Sequence, residues 1–241
     1  MHDVPYTLRF SAKARRVVLK IDPVKGLVVV VPKGFYAEMV PRILKEKRAW
    51  IERHKPSIRR AEERRVERQR IPARIDLPAL GEQLSVVVQN NGDRTPKVLQ
   101  RRSDTLELYG HGGVEPTLAS SLLRKWLKKR AGQTLPGWLK QVAGKHGLSY
   151  NRVSIRCQKS RWGSCSSRKT VSLNCKLLFL DPALVEHVLT HELCHTVHPN
   201  HSREFWSLFK RLQPDAPTYH QRLRNLRHDV VPVWAERSDH K

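Results

Sequence analysis

The segment His191-Glu192-Leu193-Cys194-His195 constrains this chain more than any other feature of its sequence. On a helix, residues four apart lie about 40° apart in projection and roughly one turn apart along the axis. The two imidazoles can therefore reach one zinc ion, at about 2.0–2.1 Å from each nitrogen. Glu192 projects from the same turn, where its carboxylate can take a proton from a water molecule at the metal.

The residues before this segment predict the helix that it needs. Asp181 is an N-cap acceptor, and Pro182 suits the first helical position. From Ala183 onward the apolar residues recur at spacings of three and four, which indicates a helix buried on one side. Pro199 is expected to stop it. The histidine pair is thus predicted to lie within a core helix.

His201 is the expected third ligand of such a site. It lies six residues after His195, the separation found in the extended motif H-E-x-x-H-x-x-G-x-x-H. His198 stands where that motif has glycine, and no methionine follows, so a metzincin is excluded. His198 and an acidic residue such as Glu204 remain alternative ligands. His187, one turn before the pair, is expected to be packed.

Motifs on both sides of the predicted helix resemble those of a known family. They are Arg161-Trp162-Gly163-Ser164-Cys165-Ser166, Ser172-Leu173-Asn174 and Asn200-His201-Ser202-Arg203-Glu204-Phe205-Trp206. With the histidine pair, they resemble the YgjP-like metal-dependent hydrolases, relatives of SprT-like zinc metallopeptidases. The resemblance is strong over residues 150–210 and weaker near residues 15–34 and 47–51. It implies that the histidine of the Asn-His-Ser segment binds zinc, whereas His187 departs from the aromatic residue often found there.

Three neutral imidazoles would leave zinc with its full charge and an open fourth position. Such a metal polarises a carbonyl or phosphoryl oxygen, with Glu192 as general base and then acid. We expect one Zn²⁺ per chain, bound by His191, His195 and His201.

Some further residues are candidates for contacting the substrate or stabilising an oxyanion, with packing as the alternative for each. They are Arg161, Asn174, Tyr219 and His220. Residues 161–166 are interpreted as a tight loop against the zinc helix, or as a substrate contact. Residues 170–174 alternate as a strand does, and the resemblance implies that this strand pairs with extended substrate.

The charge of the chain is strongly one-sided. Lysine and arginine number 46 against 22 acidic residues, a net charge of +24. Residues 116–180 hold 14 basic residues and no acidic one. The positive electrostatic field of such a charge distribution favours a nucleic acid or nucleotide partner. The alternative interpretation is a generally basic surface without such a partner. The basic run over residues 53–74 includes glutamates and is typical of an exposed charged helix.

Composition and patterning predict an α+β protein of 241 residues. We expect a small β-rich N-terminal unit with helices over residues 1–112, and a zincin-like metallopeptidase domain over residues 113–241 with a short sheet packed on the HExxH helix and a basic C-terminal tail. The predicted strands cover residues 17–21, 27–31, 83–88, 98–101, 105–109, 152–157 and 170–174, with a turn at 90–93. Helices are predicted within 36–68, from 117 to 147 with a disturbance at Pro136-Gly137, over 202–212, and in the tail at 221–237.

The chain has no apolar run of 18 residues, and its start is unlike a signal peptide. We therefore expect no membrane partner and a cytoplasmic location. Four cysteines are too sparse for a disulfide scaffold, which agrees with a reducing compartment.

Peptide-bond hydrolysis is the leading functional prediction, with a peptide or protein as substrate. Hydrolysis of nucleotides or other phosphoanhydrides is the first alternative. The second is a nucleic-acid-binding protein with a structural zinc site, which would need no base at Glu192 and would favour four protein ligands. The sequence leaves the oligomeric state open.

Overall fold

The computed structural model of the chain describes residues 4–22, 25–90, 95–226 and 230–236. Most of the turn predicted at residues 90–93 and parts of the predicted tail helix lie outside these ranges. The chain divides into two units, Met1–Arg70 and Ile71–Lys241. Within the described part of the chain, no helix has both the length and the apolar character needed to cross a membrane.

The first unit is a mixed sheet with two helices. Its elements are β1 (Tyr6–Ser11), β2 (Val18–Asp22), β3 (Gly26–Pro32), α1 (Val40–Glu46) and α2 (Arg48–Glu67). The predicted hairpin is confirmed, because β2 and β3 pair antiparallel. Strand β1 adds to the other side of β3 in parallel. The five residues after Gly26 are all buried, as expected for a central strand covered on both faces.

The second unit begins with a sheet in the order β4-β5-β7-β6. Its strands are β4 (Arg74–Leu77), β5 (Glu82–Asn90), β6 (Lys97–Arg102) and β7 (Thr105–Gly110). The apolar side chains of this sheet, among them Leu84 and Leu108, share one core with Leu123 and Leu127 of the next helix. The division between units therefore falls at residue 70, and not at residue 112 as the sequence suggested, because this sheet packs against that helix.

Helix α3 (Pro116–His146) spans 31 residues. It ends at Gly147, whose φ of 62° is the left-handed conformation that glycine adopts at low cost. The disturbance predicted at Pro136 does not interrupt the helix. Leu135 and Leu139 are fully buried on either side of the proline, so core packing holds both halves in place.

The site is built from a second sheet and the helices around it. These elements are β8 (Arg152–Arg156), β9 (Gly163–Cys165), β10 (Thr170–Asn174), α4 (Pro182–Cys194), α5 (Arg203–Leu212) and α6 (Ala216–Asn225). Strand β10 is central, parallel to β8 and antiparallel to β9. A short 3-10 helix over Cys175–Phe179 leads from β10 to α4. Helix α6 begins before the predicted tail helix, where Pro217 in the first turn favours helix initiation.

Candidate metal centre

Helix α4 begins as the sequence predicts. The Asp181 carboxylate accepts a hydrogen bond from the Leu184 amide at 3.0 Å, and Pro182 follows at the first helical position. The helix ends at Cys194, earlier than expected, and residues 195–197 continue as a turn. His195 keeps a helical backbone at this end, so the spacing of four between the two histidines still places both rings on one side.

The three predicted ligands come together. The Nε2 atoms of His191 and His201 lie 3.0 Å apart, and one ligand nitrogen from each of the three rings falls within 4.8 Å of the others. His201 reaches this point because Ser202 caps α5, accepting a hydrogen bond from the Phe205 amide. Two imidazole nitrogens facing each other this closely need a proton or a cation between them, so the donor set fits a metal ion.

Hydrogen bonding and packing orient these rings. Nδ1 of His195 donates to the His198 carbonyl at 3.1 Å, since a carbonyl oxygen can only accept. This contact leaves Nε2 of His195 with a lone pair for a metal. Phe205 stacks on His195 with ring centroids 4.5 Å apart, and Trp206 stacks on His201 at 5.7 Å.

The surroundings of the rings favour the neutral imidazole that a metal requires. Burial lowers the pKa of His191 to about 3, and the neighbouring His195 and His201 act in the same direction. Burial also lowers the pKa of His195.

Among the described residues, the alternative ligands His198 and Glu204 are not part of the cluster. His198 offers its backbone carbonyl to His195. Glu204 is exposed and its carboxylate bonds to Ser202, which lowers its pKa. His187 is packed as expected, with 1% of its surface exposed and Nδ1 2.8 Å from Oε1 of Gln213.

Glu192 is buried beside the histidines with an unsatisfied oxygen. Its side chain is 6% exposed, and Oε2 has no hydrogen-bond partner among the described residues. Burial raises the pKa of Glu192 to about 7, against the opposing charge of Arg161. A buried carboxylate without partners is costly. Such a group is expected where a ligand or a reacting molecule completes its surroundings.

Residues 161–166 lie against α4, in agreement with the first of their two interpretations, but part of them forms strand β9 rather than a loop. A Cβ atom at Gly163 would lie 2.7 Å from both Cγ and Oε1 of Glu192. Glycine is therefore required here by the close approach of the glutamate side chain. Nothing in the sequence beyond the glycine itself indicated this contact.

Asn174 holds this segment in place. It is 2% exposed, and Nδ2 donates to the carbonyls of Gln158 at 3.0 Å and Arg161 at 2.8 Å. Oδ1 accepts from the Lys176 amide at 3.1 Å. Both amide hydrogens are thus used within the protein, so Asn174 has no donor left for an oxyanion. The prediction of a direct substrate contact is replaced by a positioning contact.

The remaining candidates occupy two places. Arg161 is exposed at the start of the segment that leads to β9. Tyr219 and His220 lie on α6, where both rings approach His187, with centroids 5.8 and 6.3 Å away. His220 also meets Trp206 edge to face at 5.8 Å.

The strand that the resemblance suggested for substrate pairing is internal to its sheet. Residues 170–174 pair with β8, and Val171, Ser172 and Leu173 pair with β9 on the other side. Both edges of β10 are therefore occupied. Within the described residues, the open edge on this side of the sheet belongs to β9, because its pairing with β10 leaves the other edge unused.

The class of protein follows from this geometry and from comparison with known proteins. Metal-dependent hydrolases typically combine two histidines spaced by four at the end of a helix, a third histidine from a later segment and a buried glutamate. The chain belongs to the YgjP-like family, because residues 15–226 match its metallopeptidase domain. The resemblance seen in the sequence is thereby confirmed. Membership implies a divalent metal and a peptide or protein substrate.

The chain is similar to the crystal structure of the metallopeptidase zymogen of Pyrococcus abyssi abylysin, with 24% sequence identity, coverage of 37% of this chain and 91% of that chain, and a TM-score of 0.34. No curated protein matches the chain.

Proposed function

We propose that this chain is a zinc-dependent peptidase with a zincin-like catalytic domain, in which Glu192 activates the attacking water. The observation that carries the proposal is the convergence of three imidazoles beside a buried Glu192 Oε2 that has no hydrogen-bond partner in the described part of the chain. A structural site has no use for such a carboxylate and favours four protein ligands. The geometry therefore supports catalysis over a structural role.

His191, His195 and His201 would hold one zinc ion through ring nitrogens. When bound, zinc supplies Lewis-acid polarisation of the scissile carbonyl and lowers the pKa of a water molecule to about 7. Zinc is favoured over magnesium or calcium because those ions prefer oxygen ligands.

Glu192 carries the proton in this proposal. Its Oε2 accepts a proton from the attacking water and then delivers it to the nitrogen of the leaving amine. Gly163 leaves room for the side chain, and Asn174 fixes the segment that holds Gly163 in place. The burial of Glu192 keeps bulk water from competing for its oxygens.

An extended substrate is proposed to pair with the open edge of β9. This edge runs beside Glu192, since Gly163 is its first residue. Backbone hydrogen bonds to a strand edge hold any extended peptide and leave specificity to side-chain pockets. The proposal predicts a preference for unfolded segments over folded proteins.

A cleft next to the third ligand offers room for a substrate side chain. It has a volume of about 700 Å³ and is lined in part by Trp206, Phe209 and His220. Trp206 also stacks on His201, so the cleft adjoins the metal centre. We assign substrate contact to His220 on this side and to Arg161 on the β9 side.

The test is the variant Glu192→Gln, assayed on an unstructured protein. We expect zinc to remain bound while turnover falls by about 10²–10⁴-fold, the usual contribution of a general base. Glu186→Gln is the matched control: it lies on the same helix but is paired with Lys145 at 2.7 Å on the surface. Full turnover by Glu192→Gln would overturn the proposed role.

Hydrolysis of nucleotides or other phosphoanhydrides is the second candidate, favoured by the basic residues near the site. Nucleoside triphosphates assayed beside the unstructured protein separate the two. Cleavage of triphosphates alone would reject the peptidase assignment.

We also propose that a basic cleft in the second unit recruits nucleic acid. The cleft lies between β6 and α3, has a volume of about 460 Å³, and is lined by Arg101, Lys125 and Lys129 among others. Both lysines are exposed. Clustered cations of this kind bind phosphate backbones mainly by releasing counterions.

Binding of a DNA oligonucleotide at several salt concentrations tests this recruitment. The double variant Lys125→Ala/Lys129→Ala should weaken binding and flatten the salt dependence, with a change in slope of about 0.9 per lost phosphate contact. Lys13→Ala/Lys20→Ala removes the same charge from exposed positions of the first unit and serves as the control. If both double variants lose the same DNA affinity, the effect comes from net charge and not from the cleft.

A further inference from the structure

Cys157 and Cys175 form a close thiol pair at the carboxyl ends of β8 and β10. Their Sγ atoms lie 2.8 Å apart. The two residues directly follow β8 and β10, whose parallel register places Arg156 opposite Asn174. The next residue on each strand is therefore held beside the other by the sheet. Both cysteines are free thiols.

The two thiols differ in accessibility and in ionisation. Cys175 is 1% exposed, whereas Cys157 is half-buried. A hydrogen bond from the Cys175 thiol lowers the pKa of Cys157 to about 7, helped by the charges of Lys128, Lys176 and Arg124. The same hydrogen bond and burial raise the pKa of Cys175. Cys157 is thus the nucleophile of the pair.

We propose that Cys157 and Cys175 are a reversible oxidation site that closes to a disulfide with a peroxide as oxidant. A disulfide has an S–S length of about 2.05 Å, so closure requires the sulfurs to approach by roughly 0.8 Å. In a reducing compartment, a disulfide is usually transient and redox-sensing. The proposed hydrolysis uses neither thiol.

The chemistry balances with hydrogen peroxide. The Cys157 thiolate attacks one peroxide oxygen, the O–O bond breaks, and the departing hydroxide takes up a proton to become water. Cys157 is then a sulfenic acid. The Cys175 sulfur attacks the sulfur of Cys157, the S–O bond breaks, and the Cys175 proton leaves with the hydroxide as a second water. Two thiols lose two electrons, and one peroxide is reduced to two waters.

The position of the pair links it to the segment that supports β9. Cys175 follows Asn174, and Cys157 precedes Gln158, whose carbonyl accepts a hydrogen bond from Asn174. A disulfide between Cys157 and Cys175 would covalently link the two residues that adjoin this hydrogen bond. We expect oxidation to restrain residues 158–162, which lead to Gly163 and Glu192.

The experiment treats the full-length, zinc-loaded protein with hydrogen peroxide, traps remaining thiols by alkylation and maps the peptides by mass spectrometry. We expect loss of two of the four free thiols, a Cys157–Cys175 linked peptide, and return of all four after dithiothreitol. Backbone hydrogen exchange of residues 158–162 should slow in the oxidised protein. Cys165→Ser should form the same link, whereas Cys157→Ser and Cys175→Ser should not.

Several outcomes would overturn the proposal. One is a stable sulfinic acid on Cys157 without cross-linking. Another is a link that pairs either cysteine with Cys165 or Cys194. If the linked peptide forms but backbone hydrogen exchange at residues 158–162 is unchanged, the disulfide does not restrain the segment that leads to β9. Because the unmodified protein gives all these readouts, the test does not depend on the folding of any variant.

Discussion

Gly163 on strand β9 lies so close to Glu192 on helix α4 that a Cβ atom at position 163 would be 2.7 Å from the glutamate Oε1. The glycine of the Arg-Trp-Gly-Ser-Cys segment thus leaves the space that the proposed general base occupies, although the two residues are 29 positions apart in the sequence. The contact explains why the segment needs a residue without a side chain.

Gly163→Ala should displace the Glu192 carboxylate. We expect turnover to fall by about 10²-fold, because a misplacement of roughly 1 Å costs that much, and stability to fall by about 1–3 kcal/mol through overpacking. Steady-state kinetics and chemical denaturation measure the two effects. Gly144→Ala is the control, since a Cβ there meets no atom of the described residues within 4 Å. Wild-type turnover by Gly163→Ala would show that Glu192 tolerates the shift.

The third ligand can be tested by metal content. His201→Ala should lose most of its zinc on dialysis, because two imidazoles remain and the ring nitrogen 3.0 Å from His191 is gone. His198→Ala should keep about one zinc per chain, because it is the His198 backbone that bonds to His195. Elemental analysis of both proteins decides the matter. The reverse pattern would assign the ligand to His198.

Asn174→Asp should impair catalysis by releasing the segment before β9. The carboxylate cannot donate, so the carbonyls of Gln158 and Arg161 lose their partner at a cost of about 1–3 kcal/mol each. We expect kcat to fall in protein that is still folded and zinc-loaded. Asn151→Asp is the control, because it removes one donor to the Arg168 carbonyl at an exposed site. If Asn174→Asp is less stable but has an unchanged kcat, the role of Asn174 is purely structural.

His187 should make the protein sensitive to acid. Burial lowers its pKa in the folded chain, although the hydrogen bond to Gln213 opposes this effect, and the charge of His220 adds to it. Below about pH 6.5 the unfolded chain therefore binds more protons, so the free energy of unfolding falls as the pH drops towards the lowered pKa.

The variant His187→Phe measures that contribution. We expect its free energy of unfolding to fall less than that of the wild type between pH 7.5 and 5.5, by up to about 1.4 kcal/mol per unit of pKa difference. Urea denaturation at both pH values gives the comparison. The metal ligands are common to both proteins, so their protonation cancels. Parallel losses would show that His187 is not responsible.

Local sequence signals predicted the elements that depend on neighbours along the chain. The Asp181 cap, Pro182 and the apolar spacing predicted α4 because a helix is made from contacts three and four residues apart. The pairing of β2 with β3 was predicted for the same reason, since only three residues lie between the two strands in the sequence. The pairing of strand β1 with β3 in the first unit was not predicted, because parallel pairing gives no signal in the local sequence.

The sequence identified the residues of the site more reliably than it predicted what each of them does. Asn174 was a candidate for substrate contact, and its two carbonyl partners lie 13 and 16 residues away in the sequence. Strand β10 was a candidate for substrate pairing, and β9 covers that edge. Both revisions follow from the strand register, which depends on long-range pairing.

The helix with its histidine pair, the mixed α+β class, the family and the candidate third histidine were all readable in the amino-acid sequence. They depend on periodicity, caps and motif spacing, which are written along the chain. Three features emerged from the folded chain alone. Oε2 of Glu192 is buried with no hydrogen-bond partner among the residues that the structure describes, Gly163 lies against the Glu192 side chain, and the first sheet after residue 70 packs with helix α3. These features arise between segments distant in sequence, where burial and close approach are set by how whole elements pack.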